Sequence, residues 1–391
     1  KTAILTGASS GLGIQFARQL KRVFPEAEEL WLIARRQDRL EALAAELTDL
    51  KTVVLPLDLC REESFTVLRE KLAAEQPEVV LLLNNAGCGY LGNVGDGPLE
   101  RRIFAVTINN LPDALPRIGV CQADIYMEMF VNGSIVRGLA LYTDPTDVPQ
   151  IGPVRSTRFM FTDLALHYDL IVAHAGGSGY VLGDIAARGA DGFNIDTQDS
   201  TDYSFRDMDR YKARYGWEHC LFARGEGLDQ QAEKEGIRLF ADPDKDYLFR
   251  FREDGIPERG EIATRIDLTL TYRTSKKECS YVYDPSLDRY AYHQYEQEMV
   301  DGITGEQETY QNILILFPTI TMNAHGYQEA DLVSGGEGYY ACGGKIVPIT
   351  FGAEDQYSPL WFMNADGSPL EMGVGRTFLA ITEYGSALSW S

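Results

Sequence analysis

The stretch Thr6-Gly7-Ala8-Ser9-Ser10-Gly11-Leu12-Gly13 decides the fold of the N-terminal part of this 391-residue chain. The apolar residues 3–6 predict a strand before the glycines, and the amphipathic residues 11–23 predict a helix after them. Glycines at these spacings permit a tight turn and let backbone N–H groups approach a pyrophosphate at the N-terminus of a helix. The stretch therefore predicts a nucleotide-binding turn.

The residues that follow alternate apolar runs with amphipathic stretches, which is typical of βαβ units. Residues 29–34, 52–57 and 78–83 are predicted strands, and residues 39–47 and 62–74 are predicted helices. Residues 79–83 have no polar alternation, as expected for a parallel strand buried on both faces. Arg35 and Arg36 follow the second strand, where arginine accommodates the 2′-phosphate of NADP.

These features together resemble the short-chain dehydrogenase/reductase family over residues 1–96. The resemblance implies a truncated NADP-binding, Rossmann-like lobe, in which the glycine turn holds the phosphates and Asp58 and Leu59 contact adenine. The cofactor-binding residues that it implies are Gly7, Ser9, Ser10, Gly11, Leu12, Gly13, Arg35, Arg36, Asp58, Leu59, Asn85, Ala86 and Gly87.

The catalytic half of such an enzyme is not found in the sequence. The family uses an Asn, a Ser and a Tyr-x-x-x-Lys pair on a helix, where the lysine lowers the tyrosine pKa so that a proton can pass near neutral pH. Tyr272 and Lys276 have this spacing but lie in a period-2 pattern. Four residues span ~13 Å along a strand against ~6 Å along a helix, so we assign no catalytic residue.

A glycine-rich stretch at residues 87–98 ends the α/β pattern. Beyond it, residues 124–130 are predicted as a short helix, residues 159–167 as a helix and residues 186–235 as polar and irregular. From about residue 245 the sequence alternates at period 2, which predicts strands.

Residues 101–391 resemble the YerB-like lipoproteins, a bacterial family of unknown function. The segments that carry this resemblance are Ile108-Asn109-Asn110, Gln122-Ala123-Asp124-Ile125, Ile151-Gly152-Pro153-Val154-Arg155-Ser156, His174-Ala175-Gly176-Gly177-Ser178, residues 281–305 and residues 334–344. The predicted fold class is an α/β Rossmann-type half-domain with a parallel sheet, followed by an α+β module with a β-rich C-terminal domain. The predicted domains are residues 1–96, 101–240 and 245–391.

Polar residues near glycines and strand ends form the candidate site of this module: Asp124, Glu128, Arg137, Arg155, Ser156, Arg158 and His174. The sequence 151–158 predicts an anion-binding loop, because two arginines flank a serine after a Gly-Pro turn. A buried salt-bridge network is the alternative, with Arg155 and Arg158 paired to Asp163 or Glu128. His174 closes an apolar strand, where a structural histidine is commoner than a ligand.

Composition excludes several classes of partner. The net charge of −22 repels phosphate backbones, so nucleic acid is not an expected partner. No apolar run approaches ~18 residues, so no transmembrane segment is predicted. The six cysteines form no CxxC pair, and no metal site is expected. The expected partner is a small anionic ligand or a cell-envelope component.

The two resemblances predict a fusion of a catalytically incomplete NADP-binding lobe with a cell-envelope module whose function is binding. One alternative is an NADP-dependent short-chain reductase with a non-standard catalytic half. Another is a hydrolase or transferase centred on His174, Glu128 and the arginines. As written, the chain shows no signal peptide or lipid-attachment cysteine and is expected in the cytoplasm, whereas relatives of the second module are membrane-anchored and extracytoplasmic.

Overall fold

The computed structural model describes residues 1–8, 11–34, 37–57, 59, 62–83, 101–196, 200–242 and 249–391. The chain divides into two compact units, Lys1–Cys88 and Gly89–Ser391, which we call the N-terminal and C-terminal units. None of the described helices combines the length and the apolar character needed to span a membrane.

In its described residues, the N-terminal unit is a four-stranded parallel sheet with three helices. Its elements are β1 (Thr2–Thr6), α1 (Gly11–Val23), β2 (Glu29–Ala34), α2 (Gln37–Glu46), β3 (Lys51–Pro56), α3 (Glu62–Glu75) and β4 (Val79–Leu83). The strand order is β3-β2-β1-β4 and every pairing is parallel. This arrangement confirms the Rossmann-like fold predicted for the first part of the chain.

Both faces of this sheet are covered around its two central strands. Leu5 and Leu32 belong to the core cluster that α1 and α2 complete, whereas Ile4, Trp31 and Ile33 form a second cluster on the opposite face. β4 pairs with β1 on one side and has no second strand neighbour among the described residues. The prediction that this strand is buried on both faces is therefore wrong, since Val79 is 43% exposed and Leu82 61% exposed.

The C-terminal unit contains most of the strands. Its elements up to residue 240 are β5 (Phe104–Asn109), β6 (Ile125–Asn132), β7 (Ile135–Tyr142), α4 (Phe159–Tyr168), β8 (Ile171–His174), α5 (Gly179–Arg188), β9 (Gly192–Asn194), β10 (Ser204–Arg206), α6 (Met208–Lys212), β11 (Leu221–Ala223) and α7 (Gly225–Lys234). Short 3-10 helices cover Pro112–Ala114, Val120–Gln122 and Trp217–His219.

The remaining elements of this unit are all strands. They are β12 (Arg250–Arg252), β13 (Glu261–Ile262), β14 (Arg265–Tyr272), β15 (Ser275–Asp284), β16 (Arg289–Gln294), β17 (Gln297–Glu298), β18 (Thr309–Tyr310), β19 (Asn312–Met322), β20 (Gln328–Cys342), β21 (Lys345–Gly352), β22 (Trp361–Asn364), β23 (Glu371–Gly373), β24 (Thr377–Ile381) and β25 (Leu388–Trp390). The predicted β-rich C-terminal part is thereby confirmed.

One eleven-stranded sheet runs through both halves of the C-terminal unit. Its order is β13-β21-β20-β19-β24-β6-β7-β5-β8-β9, with β22 beside β21. β24 pairs in parallel with both β19 and β6, so the sheet continues across the predicted boundary near residues 240–245. A six-stranded sheet, β17-β16-β15-β14-β25 with β18 on β16, is the second layer.

Two predictions for the middle of the chain are wrong. Residues 124–130 form most of β6 rather than a helix, because Met127 and Met129 face one core while Tyr126 and Phe130 face the other. A strand buried on both faces shows no period-2 pattern, and a short apolar run does not distinguish it from a helix. Residues 186–235 contain the helix α7 and are not irregular throughout.

Among the described residues, two buried ion pairs lie where the two sheets pack against each other. Glu128 on β6 of the larger sheet pairs with Lys277 on β15 of the smaller sheet, and both side chains are almost fully buried. Arg117 pairs with Glu308 at 2.6 Å and also donates a hydrogen bond to the Tyr126 hydroxyl. These contacts join residues that lie far apart in sequence, so they depend on the packing of one sheet against the other.

Candidate functional site

The predicted nucleotide turn of the N-terminal unit has the backbone geometry that glycine permits. Gly7 has a φ of +66°, and a Cβ added to Gly13 would overlap the carbonyl oxygen of Gly7. Gly11 and Leu12 begin α1, and Leu59 is half-buried in the turn after β3. The other predicted cofactor residues lie outside the described residues: Ser9, Ser10, Arg35, Arg36, Asp58, Asn85, Ala86 and Gly87.

Tyr272 and Lys276 flank a β-hairpin turn and do not lie along one strand, as the sequence analysis supposed. Tyr272 pairs with Ser275, and Thr271 pairs with Lys276. Paired residues share a face of the sheet and successive residues alternate, so the buried Tyr272 and the exposed Lys276 point to opposite faces. The two side chains therefore do not face each other.

The acidic members of the candidate site in the C-terminal unit have hydrogen-bond partners other than its arginines. Asp124 accepts hydrogen bonds at 2.7 Å from the backbone N–H and the hydroxyl of Thr143, and burial raises its pKa to about 6. Glu128 accepts hydrogen bonds from Lys277, Asn110 and Tyr292. Neither carboxylate forms an ion pair with Arg137, Arg155 or Arg158 among the described residues, and their membership of one site with these arginines stays a prediction.

The alternative salt-bridge network is also wrong. Glu128 pairs with Lys277, and Asp163 pairs with Arg188 at 2.7 Å. Among the described residues, no ion pair is formed by Arg137, Arg155 or Arg158.

Backbone pairing brings the arginine segment to the carboxyl ends of two parallel strands. Asn109, at the end of β5, donates its N–H to the Pro153 carbonyl at 2.8 Å, and Arg155 donates its N–H to the Thr107 carbonyl at 2.9 Å. On the other side, the N–H of Ala175 after β8 donates to the Arg155 carbonyl at 2.9 Å. Residues 153–157 thus lie between the ends of β5 and β8.

Arg137 reaches the same place from the neighbouring strand. It pairs with Asn109 across β7 and β5 and is 1% exposed. Its Nε and Nη1 have no hydrogen-bond partner among the residues that the structure describes. Burial and the charges of Arg158 and Arg155 lower the pKa of Arg137 to about 9. Three guanidinium groups are therefore close enough to repel one another.

Arg155 and Arg158 differ in how firmly they are held. Arg158 donates hydrogen bonds to Asn132 Oδ1 at 2.8 Å and to the Thr157 carbonyl at 2.8 Å, and burial lowers its pKa. The Nε of Arg155 is buried without a partner, as is the hydroxyl of Thr157. Ser156 is half-buried between them. Arg155 and Thr157 therefore present unused donors in the segment whose charges act on Arg137.

The loop after β8 forms another wall of the site. The Thr157 N–H donates to the Gly176 carbonyl at 3.0 Å, and Ser178 caps α5 by accepting from the Val181 N–H. His174 Nδ1 lies 2.9 Å from the Gly176 carbonyl, and burial lowers its pKa to about 4. A carbonyl can only accept, so Nδ1 carries the proton and the imidazole is neutral at pH 7.

Three further polar residues lie in this region and were not predicted from the sequence as part of the site: Asn109, Thr157 and His219. Asn109 Nδ2 lies 2.7 Å from His219 Nδ1, which attaches the 3-10 helix Trp217–His219 to the end of β5. The charge of Arg155 acts on the carboxylate of the neighbouring Glu218, but the two side chains form no ion pair within 4.0 Å. Asn109 could have been predicted as a site residue because it is a polar residue at the end of a buried strand. No local sequence pattern indicated that His219 lies beside it.

Family models match both parts of the chain. Residues 1–110 match the model described as short chain dehydrogenase. Residues 92–238 match the N-terminal domain, and residues 268–379 the C-terminal domain, of the "Protein of unknown function (DUF3048)". The predicted resemblances to a short-chain dehydrogenase and to the YerB-like lipoproteins are confirmed, as is the joining of the two in one chain.

Individual relatives agree with these matches. A Bacillus subtilis (strain 168) protein named as a lipoprotein, YerB, is 28% identical over 250 residues, which are 63% of this chain and 72% of that protein. The crystal structure of YerB protein from Bacillus subtilis has a TM-score of 0.63, with 24% identity, and the match covers 74% of this chain and 94% of that structure. This likeness shows the fold of the C-terminal unit.

The N-terminal part has oxidoreductase relatives. Human retinol dehydrogenase 8 is 34% identical over 112 residues, which are 28% of this chain and 33% of that protein. An uncharacterized oxidoreductase of Mycobacterium tuberculosis (strain ATCC 25618 / H37Rv) is 37% identical over 100 residues, which are 25% of this chain and 38% of that protein. The chain spans about a third of the length of these relatives.

Proposed function

We propose that the C-terminal unit is a binding module whose ligand is a small anion held by Arg137, Arg155 and Arg158. The observation that carries this proposal is Arg137, whose guanidinium is 1% exposed. Within the described part of the chain, no carboxylate pairs with it and two of its nitrogens have no hydrogen-bond acceptor. Burying an unpaired charge is costly unless a counter-charge is supplied. An anionic ligand would supply it.

The surroundings of Arg137 support the same proposal. Thr157 and Arg155 add buried donors without partners, and the site lies at the carboxyl ends of the parallel strands β5 and β8, a position where open α/β sheets commonly bind ligands. The chain carries 58 acidic side chains, yet none of the described ones neutralises these three arginines. We extend to this module the envelope setting that the name of the YerB relative implies for that protein.

The test is an anion-dependent thermal shift of the full chain. Phosphate or sulfate, compared with chloride at equal ionic strength, should raise the melting temperature of the C-terminal unit, because a ligand at 100 times its Kd stabilises by about 2.7 kcal/mol. Arg137→Met should remove this effect. Arg265→Met, which changes an exposed arginine paired with Asp267, is the matched control and should keep it. Absence of any specific anion effect on the unaltered chain would refute the proposal.

The hydrolase or transferase alternative receives less support from the geometry. Glu128 is occupied by Lys277, and a histidine whose pKa is about 4 is a weak general base at neutral pH. Binding therefore explains the arrangement with fewer assumptions than catalysis.

We also propose that the N-terminal unit binds NADP in preference to NAD. The close approach of Gly13 to the Gly7 carbonyl supports a phosphate-binding turn, and Arg35 and Arg36 support the 2′-phosphate. Titration calorimetry of the full chain should give a lower Kd for NADP than for NAD, and the chain should not oxidise NADPH with carbonyl substrates. Equal affinities for NADP and NAD would contradict the proposed role of Arg35 and Arg36 in binding the 2′-phosphate.

A further inference from the structure

The anion site is bordered by aromatic rings that come from a distant part of the chain. The hairpin between β19 and β20 places His325 on Tyr180, with ring centroids 3.8 Å apart and planes 15° from parallel. The same hairpin places Tyr327 against Phe159 at 5.4 Å in an edge-on contact. Two rings of one hairpin therefore meet the first turns of both α4 and α5.

Both contacts lie beside the residues that form the anion site. Phe159 directly follows Arg158, and Tyr327 lies close enough to the Arg158 guanidinium to affect its charge. Tyr180 is the second residue of α5, two positions after the capping Ser178, and the preceding Gly177 lies against the Thr157 side chain. Tyr180 is nevertheless 60% exposed, so much of its surface remains open to solvent.

The charge of the site favours one chemical class of anion. Three guanidinium groups without a paired carboxylate suit a dianion better than a monoanion, and guanidinium matches the geometry of phosphate oxygens through paired N–H donors. Inorganic phosphate would satisfy the arginines but would leave the rings at the rim unused.

We propose that the site binds a phosphate monoester that carries a ring, with the phosphate on Arg137, Arg155 and Arg158 and the ring against Tyr180. This inference rests on the proposed anion-binding function and specifies its ligand class. A ring stacked on Tyr180 extends the existing His325–Tyr180 stack and gains the offset or edge-on contact that aromatic side chains favour.

Calorimetric titration of the full chain at pH 7.5 tests this ligand class with three probes: inorganic phosphate, phenyl phosphate and phenyl sulfate. Phenyl phosphate should bind about 2- to 10-fold more tightly than inorganic phosphate because of the ring contact. It should bind at least ~10-fold more tightly than phenyl sulfate, which has the same ring but a single negative charge.

Variants assign each part of the ligand to its residues. Tyr180→Ala should abolish the advantage of phenyl phosphate while leaving the Kd of inorganic phosphate unchanged, and Tyr384→Ala, at a tyrosine that is 73% exposed, should change neither. Arg155→Met should weaken both phosphates, and its half-buried position makes it a milder change than replacing Arg137.

The outcomes separate this inference from the function on which it rests. If inorganic phosphate binds in an Arg155-dependent way but phenyl phosphate binds no better, the ligand class is wrong and the anion site stands. The same conclusion follows if Tyr180→Ala weakens both phosphates equally. If neither phosphate binds, the anion-binding function itself is refuted, and the ligand class with it.

Discussion

Replacement of Arg137 by methionine should stabilise the C-terminal unit in the absence of anions. Arg137 is 1% exposed, and its pKa is lowered to about 9 by burial and by Arg158 and Arg155. A pKa below the ordinary value means that the charged form of Arg137 lowers the free energy of unfolding. This loss is complete at pH 7, where the folded protein carries the charge, and it diminishes as pH rises past about 9. At about 1.4 kcal/mol per pKa unit, the charge costs the folded state roughly 5 kcal/mol.

The expected net gain is smaller than that cost. Methionine keeps the unbranched apolar stem but leaves space where the guanidinium was, and such changes in packing cost about 1–3 kcal/mol. A net stabilisation of roughly 2–4 kcal/mol remains, which corresponds to a rise of about 4–8 °C in the melting temperature of a unit this large. Differential scanning calorimetry in anion-poor buffer measures the change.

A paired arginine should respond in the opposite direction and is the matched control. Arg188 binds Asp163 at 2.7 Å and Asp184 at 3.3 Å, so Arg188→Met leaves two carboxylates without a counter-charge. The melting temperature of the Arg188→Met variant should fall by an amount that corresponds to a loss of about 1–3 kcal/mol in the free energy of unfolding. If Arg137→Met also lowered the melting temperature by several degrees and phosphate had no effect on the unaltered chain, Arg137 would be an internally satisfied structural residue.

Three further predictions concern other parts of the chain. Lys277→Met leaves the buried Glu128 without its partner and should lower the free energy of unfolding in urea by roughly 3–5 kcal/mol. The control Lys276→Met, at the exposed neighbouring residue, should change it by no more than about 0.5 kcal/mol. Equal effects of the two substitutions would contradict the pairing of Lys277 with Glu128. Gly13→Ala should weaken NADP binding in calorimetry, because the added Cβ meets the Gly7 carbonyl. An unchanged Kd for NADP would contradict the proposal that this turn binds the nucleotide. Burial raises the pKa of Asp124 to about 6, so its contribution to the free energy of unfolding is lost as pH rises from about 4 to 6. Over that range Asp124→Asn should become more stable than the unaltered chain. A stability difference that stays constant between pH 4 and 7 would contradict the burial of Asp124.

The elements of the N-terminal unit were predictable because their signals are local. The predicted helix at residues 11–23 and the predicted strand at residues 29–34 have the bounds of α1 and β2. Both depend on hydrophobic periodicity and glycine placement within about a dozen residues. The exposure of β4 was not predictable in this way, since it depends on which strand takes its outer edge.

The C-terminal unit shows where local signals stop. α4 was predicted nearly to the residue, but β6 was mistaken for a helix because it is buried on both faces. Its neighbour β24 lies some 250 residues later in the chain, and no local pattern identifies such a pairing.

The candidate site divides in the same way. The sequence by itself determined that Arg155, Ser156 and Arg158 stand together after a Gly-Pro turn, because four consecutive residues have no room to separate. Only the tertiary structure decided that Arg137 joins them, through the pairing of β7 with β5, and that Glu128 and Asp163 do not, because Lys277 and Arg188 take those carboxylates. Whether a buried charge is neutralised depends on which side chains meet across several ångströms of folded protein, and residues distant in sequence determine that outcome.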